Sequence, residues 1–251
     1  GLTGGGFELA ELDCLVASSS SPDQVMPNHA VMVQGELGNP PCEVVSTAGI
    51  CLCGMTALKY AWLSVASGES RNAVACGSEV ASSLMHARNF NAEYESRVDE
   101  LESHPEIAFE KDFLRWMLSD GAGAVLLQGQ PNASGPSLRI DWIDILAVKQ
   151  DVKLLNDNIV KYTVEETLKR IMARRELRVA EIDYFLPHYS SEFFREPLAR
   201  GLANADLPIP QERWFTNLTS KGNTGAASIF IILEELFNGG SLRSGQRLLC
   251  Y

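Results

Sequence analysis

Histidine is scarce in this 251-residue chain: His29, His86, His104 and His188 stand far apart, with no H-E-x-x-H run and no adjoining carboxylate cluster. The six cysteines, at positions 14, 42, 51, 53, 76 and 250, lack the paired spacing of a zinc ribbon. Cys51-Leu52-Cys53 is a C-x-C rather than a redox C-x-x-C. No bound metal and no resident cofactor are therefore expected. No apolar run approaches the roughly 20 residues that span a bilayer, and no signal-peptide pattern opens the chain. With cysteines that suit a reducing compartment, these absences predict a cytoplasmic protein without a membrane span. Positive charge is the minority, 21 Lys and Arg against 32 Asp and Glu, and the net charge of −11 argues against nucleic acid as a general partner.

What is present is apolar: 45% of the residues, enough for a large core in one compact α/β unit. One construction occurs twice. The first copy reads Leu12-Asp13-Cys14-Leu15-Val16-Ala17-Ser18, then Glu43 to Cys51, a helix-like run to Ala66, Ser67-Gly68 and Arg71 to Cys76. The second reads Ile182-Asp183-Tyr184-Phe185-Leu186-Pro187-His188, then Trp214 to Leu218, Gly222-Asn223-Thr224, an apolar helix to Phe237, Ser244-Gly245 and Arg247 to Tyr251. Asp13 to Cys51 spans 38 positions and Asp183 to Asn223 spans 40, so order and pacing agree. A similarity that occurs only twice implies two related halves and no solenoid.

Local patterns predict the elements. Leu12 to Ala17 and Val44 to Thr47 read as strands, Asn28 to Leu37 as a helix closed by Gly38, and Ala73 to Gly77 as a further strand. From Cys51 a helix runs to Ala66, with Met55, Leu58, Trp62 and Val65 at helical intervals and small residues elsewhere. The stretch 82–112 is a polar and apolar excursion of the kind that forms a lid, a tunnel wall or a partner-facing surface. A strand follows Leu118-Ser119-Asp120-Gly121-Ala122-Gly123-Ala124, and Leu138 to Leu146 alternates well enough for another. A helix is predicted over 152–177, where Lys169, Arg170, Arg174, Arg175 and Arg178 complement the negative end of its dipole. A buried helix is predicted from Ala226 to Phe237.

Cys51 falls where a strand enters a helix, so the helix dipole and free backbone N–H groups favour a thiolate and can bind an oxyanion. His188 ends an apolar strand, and Asn223 lies just before a helix. Taken singly, packing is the commoner role of a cysteine, an N-cap role explains Asn223 better than catalysis does, and packing explains His188 as well as chemistry does. Cys53, further into the helix, reads as a packing residue. A thiol, an imidazole and a carboxamide at matching places of two copies point instead to covalent acyl chemistry.

These segments together resemble the thiolase superfamily, most closely its ketoacyl-acyl-carrier-protein synthase III group. The resemblance is carried by Ser20-Ser21-Pro22-Asp23 through Gly38, Cys51 through Leu58, Ser119 through Ala124, Pro187-His188, and Gly222-Asn223-Thr224-Gly225-Ala226-Ala227-Ser228. It covers nearly the whole chain. It implies a five-layered α-β-α-β-α thiolase fold from two pseudo-repeats: an N-terminal half over 1–130 carrying the nucleophile and the 82–112 excursion, and a C-terminal half over 137–251 carrying His188 and Asn223. Against the family pattern, the first half is expected to be incomplete at its start and the second at its end, and Cys53 stands where glycine is common. The resemblance also implies a homodimer that uses acyl-CoA or acyl-carrier protein thioesters as substrates. Cys51, His188 and Asn223 would be catalytic in a decarboxylating Claisen condensation of fatty acid or polyketide-like biosynthesis, an acyltransferase-class reaction. The length of the 82–112 excursion points to a specialised acyl substrate, as in resorcinol- or olefin-forming members.

Other functions compete. An acyltransferase that delivers the Cys51-bound group to an alcohol or amine would use His188 as a general base. A papain-like hydrolase uses the same residue types but does not fit the duplicated α/β pattern. An inactive partner subunit would not need all three side chains.

Overall fold

The computed structural model describes residues 7–91, 98–104, 118–147 and 158–251. It divides into two compact units, Gly1–Pro131 with Ser220–Ile231, and Asn132–Thr219 with Ile232–Tyr251. The first unit therefore holds Cys51 and Asn223, and the second holds His188.

The first unit is built on a four-stranded sheet. Strands β1 (Cys14–Ser19), β2 (Glu43–Ala48), β3 (Asn72–Glu79) and β4 (Gly121–Gln128) lie in the order β2-β1-β3-β4. β1 pairs in parallel with both neighbours, Val16 opposite Val45 on one side and Ala75 on the other, and β4 runs antiparallel to β3. Every residue of β1 is buried, as expected of a central parallel strand covered on both faces, which is why it reads as a continuous apolar run. Helix α1 (His29–Leu37) starts where the Asn28 side chain accepts the Val31 N–H at 3.0 Å and stops at Gly38, which is left-handed.

Helix α2 (Leu52–Ser67) confirms the predicted span but turns a different face inward. Cys53, Gly54, Ala57, Leu58, Ala61 and Ser64 are buried, whereas Met55, Trp62 and Val65 are only half-buried. The reason is close approach: a Cβ at Gly54 would lie 2.1 Å from the Ala226 carbonyl oxygen, and one at Gly77 of β3 would lie 2.3 Å from the same atom. The helix and the strand leave room for one segment of backbone between them, so the small residues must point that way.

The second unit carries the parallel pair β5 (Tyr184–Leu186) and β6 (Leu248–Cys250). Helices α3 (Glu166–Met172) and α4 (Arg195–Asn204) contribute Leu168, Leu198 and Leu202 to a core that also holds Phe185, Leu207, Trp214 and Leu249. Phe185 and Trp214 meet edge to face, with ring centroids 5.1 Å apart. Helix α5 (Ser228–Asn238) begins in the first unit and ends in the second.

Three expectations change. Residues 138–146 form no strand; among the described residues they have no ladder partner. They anchor by side chains instead: Trp142 packs on the core, the Arg175 guanidinium lies 5.4 Å from its ring centroid, and both Asp144 oxygens pair with Arg175 at 3.2 Å. The helix predicted over 152–177 is described from residue 158, contains one wide π turn at Lys161–Glu165, and ends at Met172. Its residues 152–157 lie outside the described set, as do 92–97 and 105–112 of the excursion. Of the basic cluster, Arg175 is engaged by Asp144 and Arg178 by Glu181 at 3.3 Å.

Candidate functional site

β2 ends at Ala48, Gly49 turns the chain, and Cys51 takes the N-cap position of α2. The Thr47 hydroxyl donates to the Cys53 carbonyl at 3.0 Å, and the Cys53 N–H donates to the Ile50 carbonyl at 2.9 Å, closing this corner on both sides of the thiol. Burial pushes the Cys51 thiol above its ordinary pKa; its own backbone N–H pulls the other way, and the Glu79 charge adds to the rise. The helix start therefore does not win. Desolvation of a charged sulfur outweighs a single favourable amide, so the shift runs opposite to the one expected from helix position alone.

The other thiols separate from it. Cys53 is 2% exposed and pushed up to about 11 by burial, as its packing role predicted. Burial likewise raises Cys14 to about 12, Cys76 to about 11 and Cys250 to about 12.

Asn223 reaches the first unit through a short loop. Its carbonyl accepts the Ser119 N–H at 2.8 Å, and it forms a parallel bridge with Leu118, so the turn that leads into β4 fixes its backbone. Its side-chain oxygen accepts the Gly225 N–H at 3.0 Å. That bond uses the acceptor and orients the amide; among the described residues the Nδ2 group of this 3%-exposed side chain has no hydrogen-bond partner. Beyond it the turn Gly225–Ala227 packs its backbone against Gly54 of α2 and Gly77 of β3. The Cys51 helix and the Asn223 loop thus share one packed seam within the first unit.

Glu79 went unrecognised in the sequence. It is 6% exposed at the end of β3, and its Oε1 accepts the Ala226 N–H at 3.1 Å and the Ser20 N–H at 2.8 Å. The Ser20 hydroxyl donates to Oε1 and the Ser21 hydroxyl to Oε2, the latter at 3.1 Å. A signal was available: strand parity puts Glu79 on the face of Ala73, Ala75 and Gly77, all buried.

In the second unit His188 follows β5. Its N–H donates to the Tyr251 carbonyl at 2.6 Å, the Tyr251 N–H returns a bond to Leu186 at 3.0 Å, and the Tyr251 hydroxyl donates to the Thr163 carbonyl. The imidazole is half-buried, and no partner for its ring nitrogens is found among the described residues. Burial lowers its pKa to about 4, so the ring is neutral at physiological pH with one N–H to give. Arg195, seven residues on, is committed elsewhere: its Nε donates to Gln211 at 2.8 Å and its guanidinium lies 5.4 Å from the Trp214 ring centroid. No cluster of His, Cys, Asp and Glu able to hold a metal occurs among the described residues.

Residues 172–251 match the family model described as 3-Oxoacyl-[acyl-carrier-protein (ACP)] synthase III C terminal. The chain is 24% identical over 268 residues to a beta-ketoacyl-[acyl-carrier-protein] synthase III of Clostridium perfringens, covering 97% of this chain and 74% of that protein. It superposes on the 3-oxoacyl-(acyl carrier protein) synthase III of Xanthomonas oryzae pv. oryzae with a TM-score of 0.74 at 21% identity, covering 98% of this chain and 73% of that one. OleA of Xanthomonas campestris gives a TM-score of 0.72 at 23% identity over 97% of this chain and 71% of that one. These likenesses establish the thiolase fold.

Proposed function

We propose that this chain is a condensing enzyme of the ketoacyl-acyl-carrier-protein synthase III group of the thiolase superfamily, a reading supported by the family match of residues 172–251 and by the likeness to the Clostridium perfringens protein, and that it catalyses a decarboxylating Claisen condensation through an acyl-Cys51 intermediate. The observation that carries the assignment of roles is the Asn223 amide, buried with its oxygen occupied and its Nδ2 left to donate, on a loop packed against the Cys51 helix.

The chemistry follows. The Cys51 sulfur attacks the carbonyl of an acyl thioester, the donor thiol leaves with the proton that Cys51 gives up, and the Cys51 N–H stabilises the transient oxyanion. A malonyl-type thioester then loses carbon dioxide. The electron pair released becomes an enolate, whose oxygen accepts hydrogen bonds from Asn223 Nδ2 and from the neutral ring N–H of His188. Both donors are uncharged and weakly acidic, so they stabilise developing charge without protonating the carbanion. The carbanion attacks the acyl carbon, forms the new C–C bond, and expels the Cys51 sulfur. Acyl-CoA or acyl-carrier protein supplies both thioesters, and no other cofactor is needed for this balance.

Incubation with acyl thioesters from acetyl to long chain should add one acyl mass to Cys51, and malonyl thioester should then release carbon dioxide with β-ketoacyl product. Acyl transfer to alcohol or amine without carbon dioxide would assign the reaction to the acyltransferase reading.

We also propose a homodimer. β2 is an edge of the sheet, and large apolar side chains are exposed in the segments before α1 and after β2: Val25 and Met26 at 84%, Ile50 at 80% and Leu52 at 50%. Sedimentation should show a dimer that Ile50→Asp converts to monomer; a parent chain that sediments as a monomer rejects it. Six unpaired cysteines suit a reducing compartment, and the proposal places the enzyme in the cytoplasm.

A further inference from the structure

We propose that Glu79 is a positioning residue for this reaction: one buried carboxylate that ties the Asn223 loop to the turn after β1 and places its negative charge in the unit that carries Cys51. The inference rests on the reading of Cys51 as nucleophile.

The carboxylate joins three segments distant in sequence. Oε1 holds the Ala226 N–H at 3.1 Å, three residues beyond Asn223, and the Ser20 N–H at 2.8 Å; Oε2 holds the Ser21 hydroxyl at 3.1 Å. With the Ser20 hydroxyl it accepts four donors, a satisfied network in which each bond fixes the others. Losing it would free the Gly225–Ala227 turn from β3, and Asn223 is oriented by its bond to Gly225. The amide aimed at an enolate oxygen would then wander, and such donors act only when preorganised.

The same charge opposes thiolate formation. Glu79 raises the pKa of both Cys51 and Cys53. Among the described residues the charge that acts on the Cys51 thiol is that of Glu79, and the side chains of the 222–227 loop are neutral. His29 bonds to Ser78, the neighbour of Glu79, at 2.9 Å. A thiol held protonated resists alkylation and oxidation.

Glu79→Gln separates the tie from the charge. Its amide oxygen can still accept from Ser20 and Ala226, but the charge is gone. Alkylation of Cys51 by iodoacetamide, followed by peptide mass spectrometry across pH, should have its midpoint displaced to lower pH and run about threefold faster at neutral pH. Condensation by this variant should remain within about tenfold of the parent. Glu79→Ala, if its circular dichroism matches the parent, should retain acyl labelling of Cys51 while condensation falls at least tenfold further than in Glu79→Gln. An unshifted alkylation profile in Glu79→Gln, or equal loss of labelling and condensation in Glu79→Ala, overturns the proposal. Alkylation needs no turnover, so a Cys51 that takes no acyl group defeats the nucleophile reading separately.

Discussion

Cys51→Ala is expected to remove acyl labelling entirely and to lower condensation by at least about a thousandfold, because no other group can form the covalent intermediate. The competing thiols are disqualified one by one. Cys53 is 2% exposed and shifted to about 11, and Cys14, Cys76 and Cys250 are held at about 12, 11 and 12. Desolvation raises each of them as it raises Cys51, but none takes the N-cap position of a helix: three lie in strands and Cys53 lies inside α2. Cys42 accepts a hydrogen bond from the Asn39 amide at 3.4 Å in the loop before β2, away from any helix start. Cys53→Ser should keep its acyl label, which makes it the internal control for damage to α2. Intact-mass spectrometry after incubation with an acyl thioester reads both variants. An adduct that survives in Cys51→Ala would remove the covalent step from the mechanism.

Much of this was legible in residue order. Asn28 and Gly38 announce both ends of α1, and the continuous apolar run of β1 announces a strand buried on both faces. Cys51 and Asn223 could be picked out because each stands before a helix, a position defined by local sequence. What escaped was set by partners remote in the chain. Met55, Trp62 and Val65 define the more apolar stripe of α2, yet the buried stripe is the small one, since Ala226 backbone enters between α2 and β3. Residues 138–146 alternate as a strand should, but alternation cannot supply a neighbour to pair with. Glu79 reads as a charged strand end until Ser20, Ser21 and Ala226 are seen to converge on it. The direction of the Cys51 shift escaped for a related reason. The dipole that favours a thiolate is a local property of helix position, whereas the burial and the Glu79 charge that oppose it belong to the assembled unit.

Asn223→Ala and His188→Ala should each lower condensation by a hundredfold to a thousandfold, about 3 kcal/mol of transition-state stabilisation, while leaving acylation of Cys51 nearly intact. The asymmetry follows from where charge develops. In the proposed mechanism acylation places its oxyanion at the Cys51 N–H, which neither substitution touches, and decarboxylation places its charge on the extender's thioester oxygen, where the two donors act. Asn223→Asp is the sharper test. It keeps the shape and the oxygen that accepts the Gly225 N–H, but it replaces the Nδ2 donor with a second acceptor, so it should be at least as impaired as Asn223→Ala. For His188 the pH profile carries the distinction. Its pKa is lowered to about 4 by burial, below the ordinary 6.5, so the neutral ring persists as pH falls through 6 and becomes cationic only near 4. The native state therefore binds fewer protons at this site than the unfolded chain between those values, and the stability it contributes is full above about 6.5 and lost as pH falls toward 4. Decarboxylation of malonyl thioester should accordingly show no acid limb near pH 6.5 in the parent. A limb there would mean that His188 titrates as an ordinary solvated histidine, and its role as a neutral donor to the enolate would have to be abandoned.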